Sequence, residues 1–319
     1  MRDGGAGAVR AVEGPVDPRR SPLCRRRLEG ALVTGAGRSW RALEVVGETG
    51  STNADLVARA RAGEPEGLVL VADHQSAGRG RLTRSWSAPA GASLAVSVLL
   101  RPGVDQRYWS WLPLLAGLSV VDALRGECGL GAVVKWPNDV LVPGPAPAGG
   151  AADPGKLLKV CGILAEVVPG VGGAGGVEAG WSGTAVVVGA GLNVSQGPGE
   201  LPVPTAGSLV MAGAEVVDRD AVLIACLRAL AARYAAWQEG GGDPRAGLSA
   251  DFVRSCVTLG RRVAVRLPGR DRLLGTADGI DDEGRLLVTN DSGRRHVLAA
   301  GDVVHVRGTG ASGPVPGLV

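Results

Sequence analysis

The chain has 319 residues, 45% of them hydrophobic and 20% charged, a composition typical of a folded protein with one large domain and a small one. Lysine and arginine total 34 against 31 acidic residues, but the first 41 residues alone hold nine Arg and four acids. The rest of the chain therefore carries a slight negative charge. This excludes binding of nucleic acid by that part of the chain through net charge alone.

Cysteine and histidine usage excludes two further classes. The five cysteines form no C-x-x-C pair, and the three histidines lie far apart in the sequence, so neither a disulfide framework nor a zinc hydrolase is indicated. The longest apolar run, Trp109 to Val121, is interrupted by Pro113 and is shorter than a bilayer span. The sequence predicts a cytoplasmic protein that does not contact membranes.

Residues 1–39 are rich in Gly, Pro and Arg, which predicts a disordered leader with at most one short helix near Leu28 to Val33. From Leu43 onward, short apolar runs alternate with helical patterns, which indicates an α/β (α+β) domain. The patterns predict helices with Thr52 and Asp220 as their N-terminal capping residues, and a third helix that begins at Trp109. Two Gly/Pro/Ala-rich stretches, residues 143–155 and 169–183, are predicted to be surface loops.

After Thr258 the pattern changes to short alternating strands. These are separated by turn sequences such as Pro268-Gly269 and Asn290 to Gly293. Four or five strands within about fifty residues are typical of a small β-barrel. We therefore predict a barrel over residues 258–308 and a tail over residues 309–319.

Lysine is rare in this chain, with three Lys against 31 Arg, and all three lysines lie within one short stretch: Lys135, Lys156 and Lys159. Because arginine cannot replace the compact ammonium of lysine, a lysine in such a sequence points to a position-specific role. The alternative is chance clustering on an exposed loop, which we favour for Lys156.

Two further segments are candidates for chemistry. The loop from Gly78 to Trp86 carries three arginines and two glycines, which suit an anion, although an exposed basic turn is the alternative. The segment Lys135-Trp136-Pro137-Asn138-Asp139 places polar residues at the end of a strand, where they could be catalytic or form an Asx turn. The G-x-x-x-x-G-K pattern at Gly150 to Lys156 is not a Walker A motif, because Leu157 follows it.

Five segments together resemble biotin protein ligases over about Trp40 to Arg307. They are Ser51-Thr52-Asn53; Asp73-His74-Gln75 with Gly78-Arg79-Gly80-Arg81; Lys135 to Asp139; Lys159 with Gly162-Ile163-Leu164; and Val188 to Val194. The resemblance implies a catalytic domain over residues 40–257, with a mixed sheet flanked by helices, followed by an SH3-like barrel. Lipoate and octanoate ligases share the catalytic fold and are the alternative, but they are not expected to show both the GRGR and the KWPND segments.

The resemblance implies ATP-dependent transfer of biotin to a lysine of a biotin carboxyl carrier protein through biotinyl-5′-AMP. Biotin would be bound by Ser51, Thr52, Asn53, Gln75, Arg79, Gly80, Arg81, Lys159 and Gly162. ATP would be bound by Gly78, Arg79, Arg81, Arg84, Trp86, Lys135, Asn138, Lys159 and Asn193. Lys159, Arg79, Arg81 and Asp139 would be catalytic. Mg²⁺ would enter with ATP, near Asn138, without a metal site built from protein ligands alone.

The sequence departs from the family at Leu82 and Thr83, where the arginine loop usually continues with a glycine, at Cys161, and in the insert 143–155. Some relatives carry an N-terminal winged helix and act as repressors. The fifty residues before Ser51 lack the amphipathic helices of such a domain, so we expect a monofunctional ligase with no specific DNA partner. A biotin-sensing DNA-binding regulator is the opposing hypothesis, and the sequence leaves open whether the chain forms a homodimer.

Overall fold

The computed structural model describes residues 17–145, 156–170, 183–215, 217–267 and 272–306. Most of the two predicted surface loops and the predicted tail lie outside these residues. The main element is a seven-stranded mixed sheet in the order β1-β2-β3-β7-β6-β5-β4. Its strands are β1 (Ala42–Thr49), β2 (Leu68–Gln75), β3 (Ser93–Leu100), β4 (Val133–Lys135), β5 (Asp139–Pro143), β6 (Leu157–Val168) and β7 (Ala185–Asn193).

The β1–β2 pair is parallel and the other neighbours are antiparallel, which confirms the predicted mixed sheet. Within the described ranges, five α-helices accompany it: α1 (Arg25–Glu29), α2 (Thr52–Arg61), α3 (Leu112–Cys128), α4 (Arg219–Glu239) and α5 (Leu248–Ser255). Helices α3 and α4 bury their apolar residues with one face of the sheet, while α2 packs on the opposite face. The site described below lies on the α2 face.

The helix starts differ slightly from the sequence prediction because the capping residues are different. The N-cap of α2 is Ser51, one residue earlier than predicted, and the N-cap of α4 is Asp218, whose carboxylate accepts from the amides of Asp220 and Ala221. Helix α3 is preceded by a 3₁₀ segment, Gln106–Trp111, so the α-helix itself begins at Leu112.

The prediction of disorder over residues 1–39 is wrong for residues 17–39, while residues 1–16 lie outside the described part. The short helix predicted near Leu28 to Val33 is present as part of a slightly longer helical segment. Helix α1 continues into a π-helical turn, Gly30–Thr34. Leu28 and Leu32 are fully buried in the main core, and burial of two leucine side chains stabilises a segment whose glycines and arginines favour disorder. Arg20 also pairs with Glu200, 2.7 Å away.

The second unit is a five-stranded antiparallel sheet, which agrees with the predicted β-rich unit after Thr258. Its order is β11-β10-β9-β8-β12, and its strands are β8 (Arg262–Arg266), β9 (Leu273–Ile280), β10 (Leu286–Thr289), β11 (Arg295–Leu298) and β12 (Asp302–His305). The β9–β10 turn docks on the first unit: the indole nitrogens of Trp111 and Trp136 donate to the carbonyls of Asp282 and Gly284, at 2.9 and 3.1 Å. None of the helices in the described ranges has the length and apolar character needed to cross a bilayer.

Candidate active site

The floor of the site is a strip of glycines on the α2 face of the sheet. Gly162 of β6 and Gly191 of β7 are paired directly across the two strands, and Gly189 lies two residues before Gly191. A Cβ on Gly189 would lie 2.0 Å from Asn53 Oδ1, and a Cβ on Gly191 would lie 2.5 Å from the Trp86 ring. The glycines therefore let Asn53 and Trp86 lie directly against the sheet backbone.

The start of α2 supplies the first group of predicted residues. Ser51 caps the helix, with its hydroxyl 3.4 Å from the Ala54 amide. The backbone amide and the hydroxyl of Thr52 both contact Gln75 Oε1, at 2.8 and 3.1 Å. Ser97 Oγ of β3 lies 2.7 Å from the Thr52 hydroxyl and 2.6 Å from Asn53 Oδ1. This network fixes the polar groups that sequence resemblance assigns to biotin.

The same network extends to the arginine loop through a carboxylate. Asn53 Nδ2 donates to Glu166 Oε2 at 2.9 Å and to the Leu164 carbonyl at 3.3 Å. Arg79 Nη2 contacts the same Glu166 oxygen at 3.4 Å. Glu166 lies on β6, four residues from Gly162, and thus on the same face of the sheet.

The arginine loop turns tightly over the floor. Gly78 must be glycine, because a Cβ there would lie 2.3 Å from the Trp86 carbonyl oxygen and 2.9 Å from Gln75 Nε2. Leu82 and Thr83 both have positive φ, 55° and 62°, a conformation that costs non-glycine residues about 1–2 kcal/mol each. Leu82 and Thr83, which stand where the resemblance predicts a glycine-containing sequence, therefore form a strained turn.

Two arginines of the loop have distinct partners. Arg81 donates to Asn138 Oδ1 at 3.2 Å, and burial lowers the pKa of its guanidinium below the ordinary value, with Asp302 and Asp139 opposing the shift. Arg84 forms a short ion pair with Asp302 of β12, which ties the loop to the C-terminal sheet.

Lysine and aspartate meet where β5 runs beside β6. Lys159 Nζ lies 2.6 Å from Asp139 Oδ1, and Lys135 Nζ lies 4.0 Å from the other oxygen of Asp139. Burial lowers the pKa of Lys135, and the neighbouring Asp139 acts in the opposite direction. Asp139 therefore sits between two ammonium groups, at the edge of the glycine floor.

Trp86 covers this end of the floor. Lys159 Nζ lies 5.9 Å from the centre of a Trp86 ring, within cation–π range. A Cβ on Gly162 would lie 3.2 Å from the Trp86 ring and 3.4 Å from Lys159 Nζ, so Trp86 and Lys159 converge on Gly162. Trp86 Nε1 is buried, and no hydrogen-bond partner for it is found among the described residues.

A cavity of about 930 Å³ opens beside these groups, between the sheet and the C-terminal unit. Its wall includes the loop from Arg79 to Arg84, Trp136 to Asn138, the β6 residues Ile163 to Val167, and the turn Glu283 to Arg285. Such a volume suits a ligand of drug size or somewhat larger. Groups of three or more acidic, His or Cys side chains that could hold a metal ion are absent from the described residues.

The structure brings most of the predicted site residues together around the glycine floor. Two of them are engaged elsewhere. Arg84 lines the cavity but pairs with Asp302. Asn193 is buried and donates to the Gly207 carbonyl, while its own carbonyl accepts from Gln196 Nε2, both at 2.9 Å. Its amide thus holds the segment after β7, and its contact with ATP stays a prediction.

The sequence prediction included Gly189 only as part of the segment Val188 to Val194, and it gave no role to Ser97 or Glu166. Ser97 is fully buried within the apolar strand β3, and Glu166 interrupts the apolar end of β6. A polar residue inside an otherwise apolar strand is a signal that could have identified both, because buried polar groups need partners.

The chain is similar in sequence and fold to known proteins. The model of the biotin/lipoate A/B protein ligase family matches residues 49–182, and that of the biotin protein ligase C-terminal domain matches residues 258–306. The chain is 43% identical to the biotin–(acetyl-CoA-carboxylase) ligase of Mycobacterium tuberculosis, over 91% of this chain and 98% of the relative. It is 32% identical to the bifunctional ligase/repressor BirA of Bacillus subtilis, over 74% of this chain and 66% of that protein.

Among solved structures, the biotin protein ligase from Aquifex aeolicus in complex with biotin and ATP superposes with a TM-score of 0.63. The two sequences are 26% identical, and the match covers 84% of this chain and all of the Aquifex chain.

Proposed function

The chain belongs to the biotin protein ligase family, and on that premise we propose that it attaches biotin to a lysine of the carrier domain of an acetyl-CoA carboxylase. In the first step the biotin carboxylate attacks the α-phosphorus of ATP, which forms biotinyl-5′-AMP and breaks the bond to pyrophosphate. In the second step the acceptor amine attacks the carbonyl carbon of the mixed anhydride, which forms the amide and releases AMP and one proton.

The observation that carries the proposal is the convergence of cations on one glycine floor. Lys159 reaches Gly162, Arg81 holds Asn138 next to Asp139, and Arg79 reaches Glu166 on the same strand as Gly162. The first step brings two anions together, and cations fixed in advance lower the barrier without reorganisation. A lipoate ligase of the same fold is the alternative substrate class, but the similarity to curated biotin ligases favours biotin.

We assign biotin to the α2 side of the floor. The ureido group of biotin has two donors and one acceptor, which hydroxyl and amide groups such as those of Thr52, Asn53 and Gln75 can match. Because Ser97 orders both Thr52 and Asn53, these groups are set in position before the ligand arrives. Ser51, Arg79, Gly80, Arg81, Lys159 and Gly162 complete the proposed biotin contacts.

We assign ATP to the loop side, with Gly78, Arg79, Arg81, Trp86, Lys135, Asn138 and Lys159 in contact with it. Arg84 would reach the nucleotide only after leaving Asp302. The described residues supply no cluster of metal ligands, so Mg²⁺ would enter as part of the ATP substrate, with the Asn138 side chain nearby.

In the second step we propose that Asp139 takes a proton from the acceptor amine. Its carboxylate is held by Lys159 and Lys135, so it is oriented before the acceptor arrives. The amine must lose its proton to act as a nucleophile.

We also propose that the catalytic domain spans residues 40–257 and that the SH3-like unit spans residues 258–308.

We further propose that the enzyme is cytoplasmic, acts only as a ligase, and contacts neither specific DNA nor membranes. A gel-shift titration with DNA at several salt concentrations separates this account from a DNA-binding regulator, because only a regulator retains sequence-specific binding at high salt.

The test of the function is direct. The full chain is incubated with biotin, MgATP and a recombinant biotin carboxyl carrier domain, and the mass of the carrier domain is then measured by mass spectrometry. We expect the mass of one biotinyl group, absent when ATP is omitted or when the acceptor lysine is replaced by arginine. A carrier that gains no mass, or that gains a lipoyl group in preference to biotin when both acids are supplied, would overturn the proposal.

A further inference from the structure

Glu166 places a carboxylate inside the proposed biotin site, and the function outlined above gives it no role. Its Oε2 atom contacts Arg79 Nη2 at 3.4 Å and accepts from Asn53 Nδ2 at 2.9 Å. The Glu166 and Arg79 side chains are 28% and 46% exposed. Glu166 is thus an anion in contact with Arg79, one of the two arginines that, by the resemblance to the family, bracket the biotin carboxylate and the α-phosphate of ATP.

The position of Glu166 is fixed from below by the sheet and from one side by α2. Asn53 is 4% exposed, its amide nitrogen is shared between Glu166 and the Leu164 carbonyl, and its oxygen faces Ser97. Gly189 allows this packing, since a Cβ there would meet Asn53 Oδ1. The Asn53 amide therefore holds Glu166 in place while Arg79, which is more exposed, remains able to move.

A guanidinium can form bidentate bonds to a carboxylate, and Arg79 makes one long contact to Glu166 in this structure. A substrate carboxylate that offered Arg79 two well-aligned oxygens would compete with Glu166 for the same donor groups. Two carboxylates next to one guanidinium repel each other, so the gain from the new bond is reduced by the presence of Glu166.

We propose that Glu166 is a positioning residue. Its carboxylate pairs with Arg79 in the free protein, and the carboxylate of biotin displaces it when biotin binds. The inference rests on the proposed function. It implies that Arg79 is paired with Glu166 in the free protein, at the expense of affinity for an acid ligand. It also implies that neutralising Glu166 does not change the affinity for a ligand that has the shape of biotin but an uncharged tail.

The test uses the full chain and the variant Glu166→Gln, which removes the charge but keeps an oxygen that can accept from Asn53. The matched control is Glu44→Gln, which neutralises the Arg59–Glu44 pair on α2 and β1, outside the site. Binding of biotin and of biotinamide, whose tail is uncharged, is measured by calorimetry for each protein. The KM for biotin and kcat are measured by pyrophosphate release.

We expect Glu166→Gln to bind biotin about two- to fivefold more tightly, the range expected for a partly exposed ion pair. Its KM should fall by a similar factor with kcat unchanged, while its affinity for biotinamide and all properties of Glu44→Gln stay at wild-type values. In an Arg79→Gln background, Glu166→Gln should have no further effect on biotin affinity, because the competition acts only through Arg79.

Three results would overturn the proposal: unchanged or weaker biotin binding by Glu166→Gln, equal tightening for biotinamide, or persistence of the effect in the Arg79→Gln background. Each is read against wild-type protein that binds biotin and releases pyrophosphate. Wild-type protein that does neither contradicts the proposed ligase function itself, and the two failures are thereby distinguished.

Discussion

Lys159 Nζ lies 2.6 Å from Asp139 Oδ1, although the two residues are separated by the insert that follows β5. The contact forms because β5 and β6 are antiparallel neighbours with a register shift between Val140 and Leu141. The ammonium is thus oriented by a carboxylate at the edge of the glycine floor before any substrate binds. This pre-orientation gives lysine at position 159 a role that depends on its shape as well as its charge.

Replacing Lys159 with arginine tests that role. The variant Lys159→Arg keeps the positive charge, but its planar fork cannot place a single donor between Asp139 and the reacting oxygens. We expect biotin-dependent pyrophosphate release to fall about 100-fold or more, the cost of removing one donor that stabilises transition-state charge.

The control is Lys156→Arg, at the exposed lysine three residues earlier. Its rate should equal that of the wild type. A Lys159→Arg enzyme within a few-fold of the wild-type rate, or an equal loss in Lys156→Arg, would show that position 159 is not the one that matters.

Gly189→Ala is expected to disrupt the packing of Asn53 against the glycine floor. The new Cβ would lie 2.0 Å from Asn53 Oδ1, so Asn53 must shift and its bonds to Ser97 and Glu166 must loosen. We expect a loss of about 1–3 kcal/mol in the free energy of unfolding, measured by urea denaturation, together with weaker biotin binding. Gly47→Ala in β1 is the matched variant, since a Cβ at Gly47 meets nothing within 4 Å, and its stability should stay within about 0.5 kcal/mol of the wild type. Equal stability of the two variants would contradict the packing described here.

Thr83→Gly should relieve strain in the arginine loop. Thr83 is β-branched with φ of 62°, and its hydroxyl contact with the Leu82 carbonyl, at 2.6 Å, offsets only part of the cost. After the greater entropy of glycine in the unfolded chain is counted, we expect a gain of about 0.5–1 kcal/mol in the free energy of unfolding. Thr83→Ala keeps the strained Cβ and loses the hydroxyl, so it should be less stable than Thr83→Gly. The reverse order in urea denaturation would contradict the strained conformation.

The buried side chain of His305 is expected to make the free energy of unfolding depend on pH. Burial lowers the pKa of His305 from 6.5 to about 4, and the charges of Lys135 and Arg261 act in the same direction. Between these two values the unfolded chain binds a proton that the folded protein does not, so the free energy of unfolding decreases as the pH falls through this window. The contribution of one such group is at most about 1.4 kcal/mol per pH unit. His305→Gln should therefore lose less stability than the wild type between pH 6.5 and 4, as measured by urea denaturation, and equal slopes would contradict this account.

The strands and long helices could be predicted from the sequence because their apolar periodicity reflects burial directly. The ends of α2 and α4 were predicted less well, since Ser51 and Asp218 cap them while the neighbouring Thr52 and Asp220 are equally good capping residue types. Helix α1 was nearly missed because its stability comes from tertiary burial of Leu28 and Leu32 and not from local propensity.

Candidate site residues could be predicted from the sequence where they form a contiguous motif. They could not be predicted where their proximity depends on the register between strands. The arginine loop and Lys135 to Asp139 are contiguous segments with recognisable composition. The proximity of Glu166 to Arg79 and Asn53 depends instead on which face of β6 each residue occupies and on the glycines opposite. The sequence alone does not define that register, so the proximity of Glu166 to Arg79 and of Ser97 to Asn53 became visible only in the structure.

The most direct test of the central claim is isotope exchange between labelled pyrophosphate and ATP, catalysed by the wild-type chain without any acceptor protein. If biotin and ATP react on this floor to give an enzyme-bound adenylate, label should enter ATP only when biotin is present, and Lys159→Arg should abolish the exchange. Exchange that does not require biotin, or hydrolysis of ATP to ADP and phosphate with no exchange, would contradict the account.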